Sequence, residues 1–349
     1  MEESPEINLA ESKEKKDPEI DLTIYYSAHR TIEDLRGLEE LLREADVYAV
    51  EMTDWEESTK DHYNQVSSGQ MTPQEFFERE PSTVDDLKKK ELEILYKSEK
   101  PILFVDLPAI VRKKFLFFEF IRKNPLSKDF EEVQKKAYEP MEFFHAGRFD
   151  DAIESEKKRI RENGKLNNQR ESFIRNQLEE QLEELKNDPS KKDDFSKREK
   201  IKVLMRMGAL HTNIFHQIRA EGKIKVRREF GHKPFIFPNF DEAVRSYVFN
   251  KEIKNETVAR ALTDHVLFSI FFINYEFSNS QDIDLLLRKI SSKLSYNQIK
   301  EISTRMGEGE KFIPLMRSFG VSLPRNIEEM KAILGDQMRG SIKKRTYEQ

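Results

Sequence analysis

Two histidines stand in matching places, each just beyond an apolar run and a turn of small residues. The first closes Leu22-Thr23-Ile24-Tyr25-Tyr26-Ser27-Ala28-His29, and the second closes Ile201-Lys202-Val203-Leu204-Met205-Arg206-Met207-Gly208-Ala209-Leu210-His211. Two acids sit in comparable places: Glu51 after Val47-Tyr48-Ala49-Val50, and Asp106 after Pro101-Ile102-Leu103-Phe104-Val105. Open α/β sheets bind ligands outside the carboxyl ends of their strands, so four such groups would converge on one crevice. Two imidazoles with one or two carboxylates are a common ligand set for a divalent metal that keeps a position open for water. Such an ion lowers the pKa of its water towards ~7, and a neighbouring carboxylate can act as general base. Arg170 heads a helical stripe, with Ile174 and Leu178 following at steps of four. A cation on a sheet-facing surface needs an anionic partner, and Glu51 or a bound oxyanion is the natural one.

The elements that must position these groups are legible as a βαβ pattern. Leu22 to Tyr26 is a β-prone run, Thr31 is a helix N-cap, and Leu35, Leu38, Leu41 and Leu42 have helical spacing before the second strand at Val47. Strand, helix and strand within about 30 residues form a right-handed parallel unit. Thr83 to Lys97 reads as the crossover helix into the third strand, and Glu56 to Gln70 as loop with a short helix. Ile110 to Asn187 reads as helical throughout, including a helix crowded by Phe115, Phe117, Phe118 and Phe120. A charged linker follows up to Lys200, then the fourth strand, a short helix after His211, and an edge strand between Lys223 and Phe230. From Phe240 the pattern is helical only. The expected fold class is α/β: a central, mostly parallel sheet flanked by helices, with a helical insertion and an all-helical C-terminal region. The expected division is an acidic disordered tail over 1–20, an α/β domain over 21–235 with its insertion at 109–200, helices over 236–340, and a flexible tail over 341–349.

Composition removes several function classes. The net charge of −5 does not invite nucleic acid, and the run Lys223-Ile224-Lys225-Val226-Arg227-Arg228 reads as an edge strand protected by charge. The absence of cysteine excludes disulfides, thiolate ligands and a cysteine nucleophile. The most apolar stretch, Val266 to Ile273, is far shorter than the roughly 20 residues of a membrane span. With no secretory h-region near Met1, the expectation is a cytoplasmic protein without a membrane span. Neither a Walker A loop, a dinucleotide glycine fingerprint nor a Gly-x-Ser-x-Gly elbow occurs.

Tyr25-Tyr26-Ser27-Ala28-His29, then Leu35-Arg36-Gly37-Leu38-Glu39-Glu40 and Ala45-Asp46-Val47-Tyr48-Ala49-Val50-Glu51-Met52, resemble the opening of the TraB/TIKI-like superfamily. That group includes TraB pheromone-shutdown proteins, TIKI metalloproteases, erythromycin esterases and ChaN-like haem-binding proteins. Its hallmarks are two Gly-x-x-His motifs, a glutamate ending the second strand, and a helical Arg-(Asp/Glu)-x-(Tyr/Phe)-(Met/Ile) segment. Gly208-Ala209-Leu210-His211 and Arg170-Glu171-Ser172-Phe173-Ile174 match two of these, and the third strand ending in Asp106 also fits. Tyr26 replaces the glycine of the first motif. The likeness covers roughly residues 21–221 and leaves out the C-terminal helices. It implies metal-dependent hydrolysis of an amide or ester bond in a peptide or small molecule. His29 and His211 would be metal ligands, Glu51 a ligand or base, Arg170 an orienting or oxyanion-stabilising cation, and Asp106 a secondary candidate. A non-catalytic protein of the same fold that binds haem or another small ligand is the alternative. A degenerate scaffold is a third. Each residue also has a structural reading: the histidines as caps or packed core residues, Arg170 as one half of an ion pair, and Asp106 as a turn former.

Overall fold

The computed structural model describes residues 18–52, 55–80, 85–107, 128–188, 195 and 198–345. Five strands form one sheet, β1 (Glu19–Ser27), β2 (Val47–Val50), β3 (Ile102–Phe104), β4 (Lys200–Gly208) and β5 (Lys225–Phe230), in the order β3-β2-β4-β1-β5. Every neighbouring pair is parallel. The α/β reading is therefore met. Parallel strands covered on both faces read as near-continuous apolar runs, and β2 and β3 are buried along their whole length.

Register decides where the strand ends fall. Ser27 pairs with Gly208, and Val50 with both Arg206 and Phe104. The residues that follow, His29, Glu51, Asp106 and His211, therefore leave the same rim. The chain departs from β1 and β2 in one direction along the sheet and from β4, which lies between them, in the other. That reversal is a topological switch point, where open sheets leave a crevice.

One face is covered by α1 (Leu38–Glu44), α2 (Glu57–Ser67), α3 (Pro73–Arg79) and α4 (Asp86–Leu95), through Leu38, Leu42, Tyr63, Phe76, Leu92 and Leu95. The helix opening after Thr31 is divided: a 3-10 turn (Ile32–Leu35) precedes α1, and Gly37 between them takes the left-handed conformation (φ 81°) that favours glycine. The Glu56 to Gln70 stretch, read as loop with a short helix, is mostly helix. It contains the 11-residue α2, because Thr59, Tyr63 and Val66 bring a buried face that its polar majority conceals.

The helical reading of 110–187 holds where it is described except at residues 146–148, a turn that separates two helices. After α5 (Lys128–His145), α6 (Phe149–Asn187) runs for 39 residues, about 58 Å at the α-helical rise. The helix expected to carry Phe115, Phe117, Phe118 and Phe120 lies outside the described residues, as does most of the linker before β4. Ile174, Leu178, Leu182 and Leu185 of α6 cover the second sheet face, beside Ile214 and Ile218 of α7 (Asn213–Glu221). Gln181 both donates to and accepts from the backbone of Phe104, satisfying the outer edge of β3.

The first half of α6 belongs to a different core. Phe149, Ile153 and Ile160 pack among the C-terminal helices α8 (Asn239–Val248), α9 (Asn255–Asn274), α10 (Ser280–Ser291), α11 (Tyr296–Gly307), α12 (Phe312–Ser318) and α13 (Ile327–Leu334). One helix thus bridges sheet and helical region. The reading of helices alone beyond Phe240, ending in a flexible tail from 341, is corrected. β6 (Tyr275–Phe277) and β7 (Ile342–Lys344) form an antiparallel pair, held because Ile342 is buried in the helical core while Lys343 and Lys344 face out.

Gly164 marks where α6 crosses α8: a Cβ there would lie 2.3 Å from Cδ1 of Tyr247. In an isolated helix, Gly164→Ala would stabilise by about 0.5–1 kcal/mol. Here the overpacking should outweigh that gain and cost about 1–3 kcal/mol in denaturant unfolding. Combination with Tyr247→Leu should recover most of the loss. A stabilised single variant would show that the two helices do not meet at this point.

Candidate functional site

The site begins with two buried carboxylates that cannot stand alone. Glu51 follows β2 directly, and Asp106 lies two residues beyond β3, fully buried. Arg170 answers both from α6. Its Nε donates to Oδ1 of Asp106 at 2.9 Å, its Nη2 donates to Oδ2 of the same residue, and Nη2 also donates to Oε1 of Glu51 at 2.6 Å. Asp106 also accepts from the Leu107 backbone N–H, as a turn former does. Its carboxylate is buried against Arg170, which is one half of an ion pair with it.

Glu51 carries the network onward to β4. Its Oε2 accepts from the Gly208 N–H at 2.5 Å, and its Oε1 lies 3.3 Å from Nε2 of His211. Burial pushes the Glu51 carboxyl up, but Arg170 and His211 hold it well below the usual carboxylate range. His211 is 3% exposed, with Nδ1 facing Oε1 of Glu171 at 3.7 Å. Burial opposes charge on this imidazole, yet Glu51 and Glu171 outweigh it and lift its pKa to about 9. At neutral pH His211 is an imidazolium between two carboxylates. Tyr26, the residue in place of the motif glycine, donates its hydroxyl to the His211 carbonyl at 3.2 Å. It anchors the turn that carries the histidine.

His29 leaves the same rim but differs in every electrical respect. It adopts a left-handed backbone (φ 56°), and its buried Nε2 has no hydrogen-bond partner. Burial and then the charge of Arg206 bring its pKa down to about 4, although Glu51, Glu91 and Asp34 act in the opposite sense. It is neutral at pH 7. His29 lines a cleft of about 710 Å³ between its own loop and the C-terminal helices. Glu51, Asp106, Arg170 and His211 thus form one contiguous network, with His29 within electrostatic reach of Glu51 rather than in contact with it.

The loop carrying His29 is clasped from far along the chain. Asp34 accepts from the N–H groups of Arg30 and Thr31, from Nε2 of His232 at 3.2 Å, and from the Ser280 hydroxyl. Arg30 donates to both oxygens of Asp284 on α10, at 3.0 and 3.2 Å. The C-terminal region, through Ser280 and Asp284, fixes this loop.

Other partners escaped the sequence reading. Arg206 of β4 makes a buried two-point pair with Glu91 of α4, at 3.0 and 2.9 Å, and Tyr48 donates to the same carboxylate at 2.7 Å. A signal was available: an arginine inside an otherwise apolar, doubly covered strand demands a buried acid. Glu171 appeared only as part of a motif match, although both of its buried oxygens lack a hydrogen-bond donor.

A divalent metal is a poor fit to this arrangement. Among the described residues, no three His, Asp or Glu side chains stand close enough together to hold one. Each oxygen of Glu51 already serves Arg170 or Gly208. Compared against family models, curated proteins and solved structures, the chain has no match in any of the three.

Two outcomes follow. Arg170→Met removes the cation shared by Glu51 and Asp106, leaving Glu51 with His211 and the Gly208 N–H and Asp106 with the Leu107 N–H, and should cost about 3–5 kcal/mol in urea unfolding. A loss below 1 kcal/mol would show that the carboxylates find other partners. For His211 the folded pKa lies above its ordinary value of 6.5, so its stabilisation is complete below that pH and is lost as pH rises through about 9. Melting profiles should therefore fall over this interval in the wild type and be flatter there in His211→Gln.

Proposed function

We propose that the chain is a hydrolase of ester or amide bonds, working by acid–base chemistry at the carboxyl rim of its sheet. The observation that carries this reading is a neutral His29 that lines a cleft and whose buried Nε2 has no hydrogen-bond partner, at the rim where an ionised Glu51 also lies. The resemblance of the two histidine motifs, Glu51 and the Arg170 segment to the TraB/TIKI-like superfamily supports it.

In this mechanism His29 takes a proton from a water molecule as the water attacks the scissile carbonyl carbon. The imidazolium so formed is favoured by the charges of Glu51, Glu91 and Asp34, which all raise the proton affinity of His29. It then returns the proton to the leaving alkoxide or amine, so that acid and alcohol or amine depart and the neutral histidine is restored. Arg170 and protonated His211 keep Glu51 ionised and in place. The metal implied by the resemblance would require His211 to lose its proton and Arg170 to release Glu51, and no step above passes through it.

A second reading is retention of haem or another small ligand without turnover. The commitment of both Glu51 oxygens to Arg170 and Gly208 favours it, with His29 the histidine that lines the cleft.

A panel of 4-nitrophenyl esters and peptide amides separates these readings. For a cleaved substrate, kcat/KM should fall below about pH 4 as His29 gains a proton, and above about pH 9 as His211 loses one. His29→Ala should lower it at least about 100-fold. Rates insensitive to His29→Ala, or no cleavage alongside stoichiometric haem uptake, would overturn the hydrolase. Elemental analysis of wild type against His211→Ala adds an independent check. A metal held in equal amount to protein and lost in the variant would show that the ligand set assembles after all.

A further inference from the structure

The cleft beside His29 has an unusual wall. Near its C-terminal end, α9 presents Phe268 and Phe272 to the outside, 36% and 46% exposed, although neighbouring Leu267 and Phe271 are fully packed inside. The two rings stack face to face, with centroids 5.0 Å apart and planes 15° from parallel. The guanidinium of Arg345 lies over the Phe272 ring at 4.4 Å, while its Nε donates to the Tyr275 carbonyl. Ile283 and Leu87 extend the apolar lining, and His29 belongs to the same wall. Large exposed aromatics in a concave, ordered setting mark a binding surface.

Charge narrows what can enter. The lining carries the carboxylates of Glu33, Asp85, Asp86 and Glu276 against the guanidiniums of Arg30 and Arg345. Both cations are already engaged, Arg30 by Asp284 and Arg345 by the Phe272 ring and a carbonyl. Asp86 is paired with Lys89 and Asp85 caps its helix. Carboxylates still outnumber free cations in the lining, so a neutral or positively charged guest is favoured over an anionic one.

We infer that this cleft binds a molecule with a planar aromatic group seated on the Phe268–Phe272 stack and a neutral or cationic polar end. The inference deepens the hydrolase reading and rests on it only for calling the guest a substrate: an aromatic ester or amide whose carbonyl comes within reach of His29. It also sets the guest apart from haem, whose two propionates would face the acidic rim.

The test is equilibrium binding of three matched probes to the full chain, by naphthalene fluorescence: 2-naphthylmethylamine, 2-naphthylmethanol and 2-naphthoate. None carries a scissile bond, so the result is independent of turnover. The amine should bind most tightly and the carboxylate at least tenfold more weakly. Joint Phe268→Ala and Phe272→Ala substitution should weaken amine binding at least tenfold, while Asp86→Asn with Glu276→Gln should narrow the gap between amine and carboxylate. All four side chains are exposed or at the surface, so these variants should fold, which circular dichroism checks. Equal affinities, no binding at millimolar probe, or an unaffected double phenylalanine variant would overturn the inference. So would a dimer in sedimentation that Phe272→Arg dissociates, because a second copy would then cover the stack. If the probes bind as expected while the ester panel stays inert, the cleft stands and the hydrolase reading alone fails.

Discussion

Arg170 binds Asp106 through two guanidinium nitrogens and Glu51 through one, and the geometry of the rim follows from that shared cation. The sheet delivers two buried carboxylates to its carboxyl edge from adjacent strands. One arginine from the long helix α6 (Phe149–Asn187) neutralises both and fixes the helix across the end of the sheet. An ionised Glu51 then holds a proton on His211 and accepts from the Gly208 backbone. Without Arg170 the carboxylates would repel each other, and His211 would lose the anion that keeps it charged.

The two histidines share a rim but have opposite electrical characters. His211 lies between Glu51 and Glu171, whose charges overcome the effect of burial. His29 has no such neighbour in contact and faces the positive field of Arg206, so burial wins and it stays neutral. A pair of groups whose environments drive their protonation apart is what acid–base catalysis requires. The helical C-terminal region supplies the other half of this design. Through Asp284 and Ser280 it grips the Arg30 and Asp34 ends of the loop that bears His29, and its phenylalanines build the cleft next to it.

Much of this was legible in the chain because it rests on local pattern. A β-prone run that ends in a single acid or histidine declares a strand end, and Arg170 announced its direction by heading the stripe of Ile174 and Leu178. What stayed hidden depends on contacts between distant segments. Nothing near Arg30 points to Asp284, and nothing near Asp34 points to His232, since those pairings are set by how the helical region folds back. Arg206 with Glu91 is intermediate: the arginine in an apolar strand was a visible anomaly, but its partner lies on another helix. Type and order brought His29, His211 and Glu51 to one rim and suggested Glu51 as the partner of Arg170. They could not reveal that the Gly208 N–H would take its other oxygen, or that no three ligand side chains stand together among the described residues.

The account turns on one histidine being charged and the other neutral at the same edge of the sheet. Nitrogen-15 NMR of labelled imidazoles, assigned with His29→Gln and His211→Gln variants and followed over pH, reads both states directly. The expected result is His211 protonated at pH 7 and titrating near pH 9, with His29 neutral until the pH approaches 4. Two histidines titrating together near their ordinary value of 6.5 would contradict it.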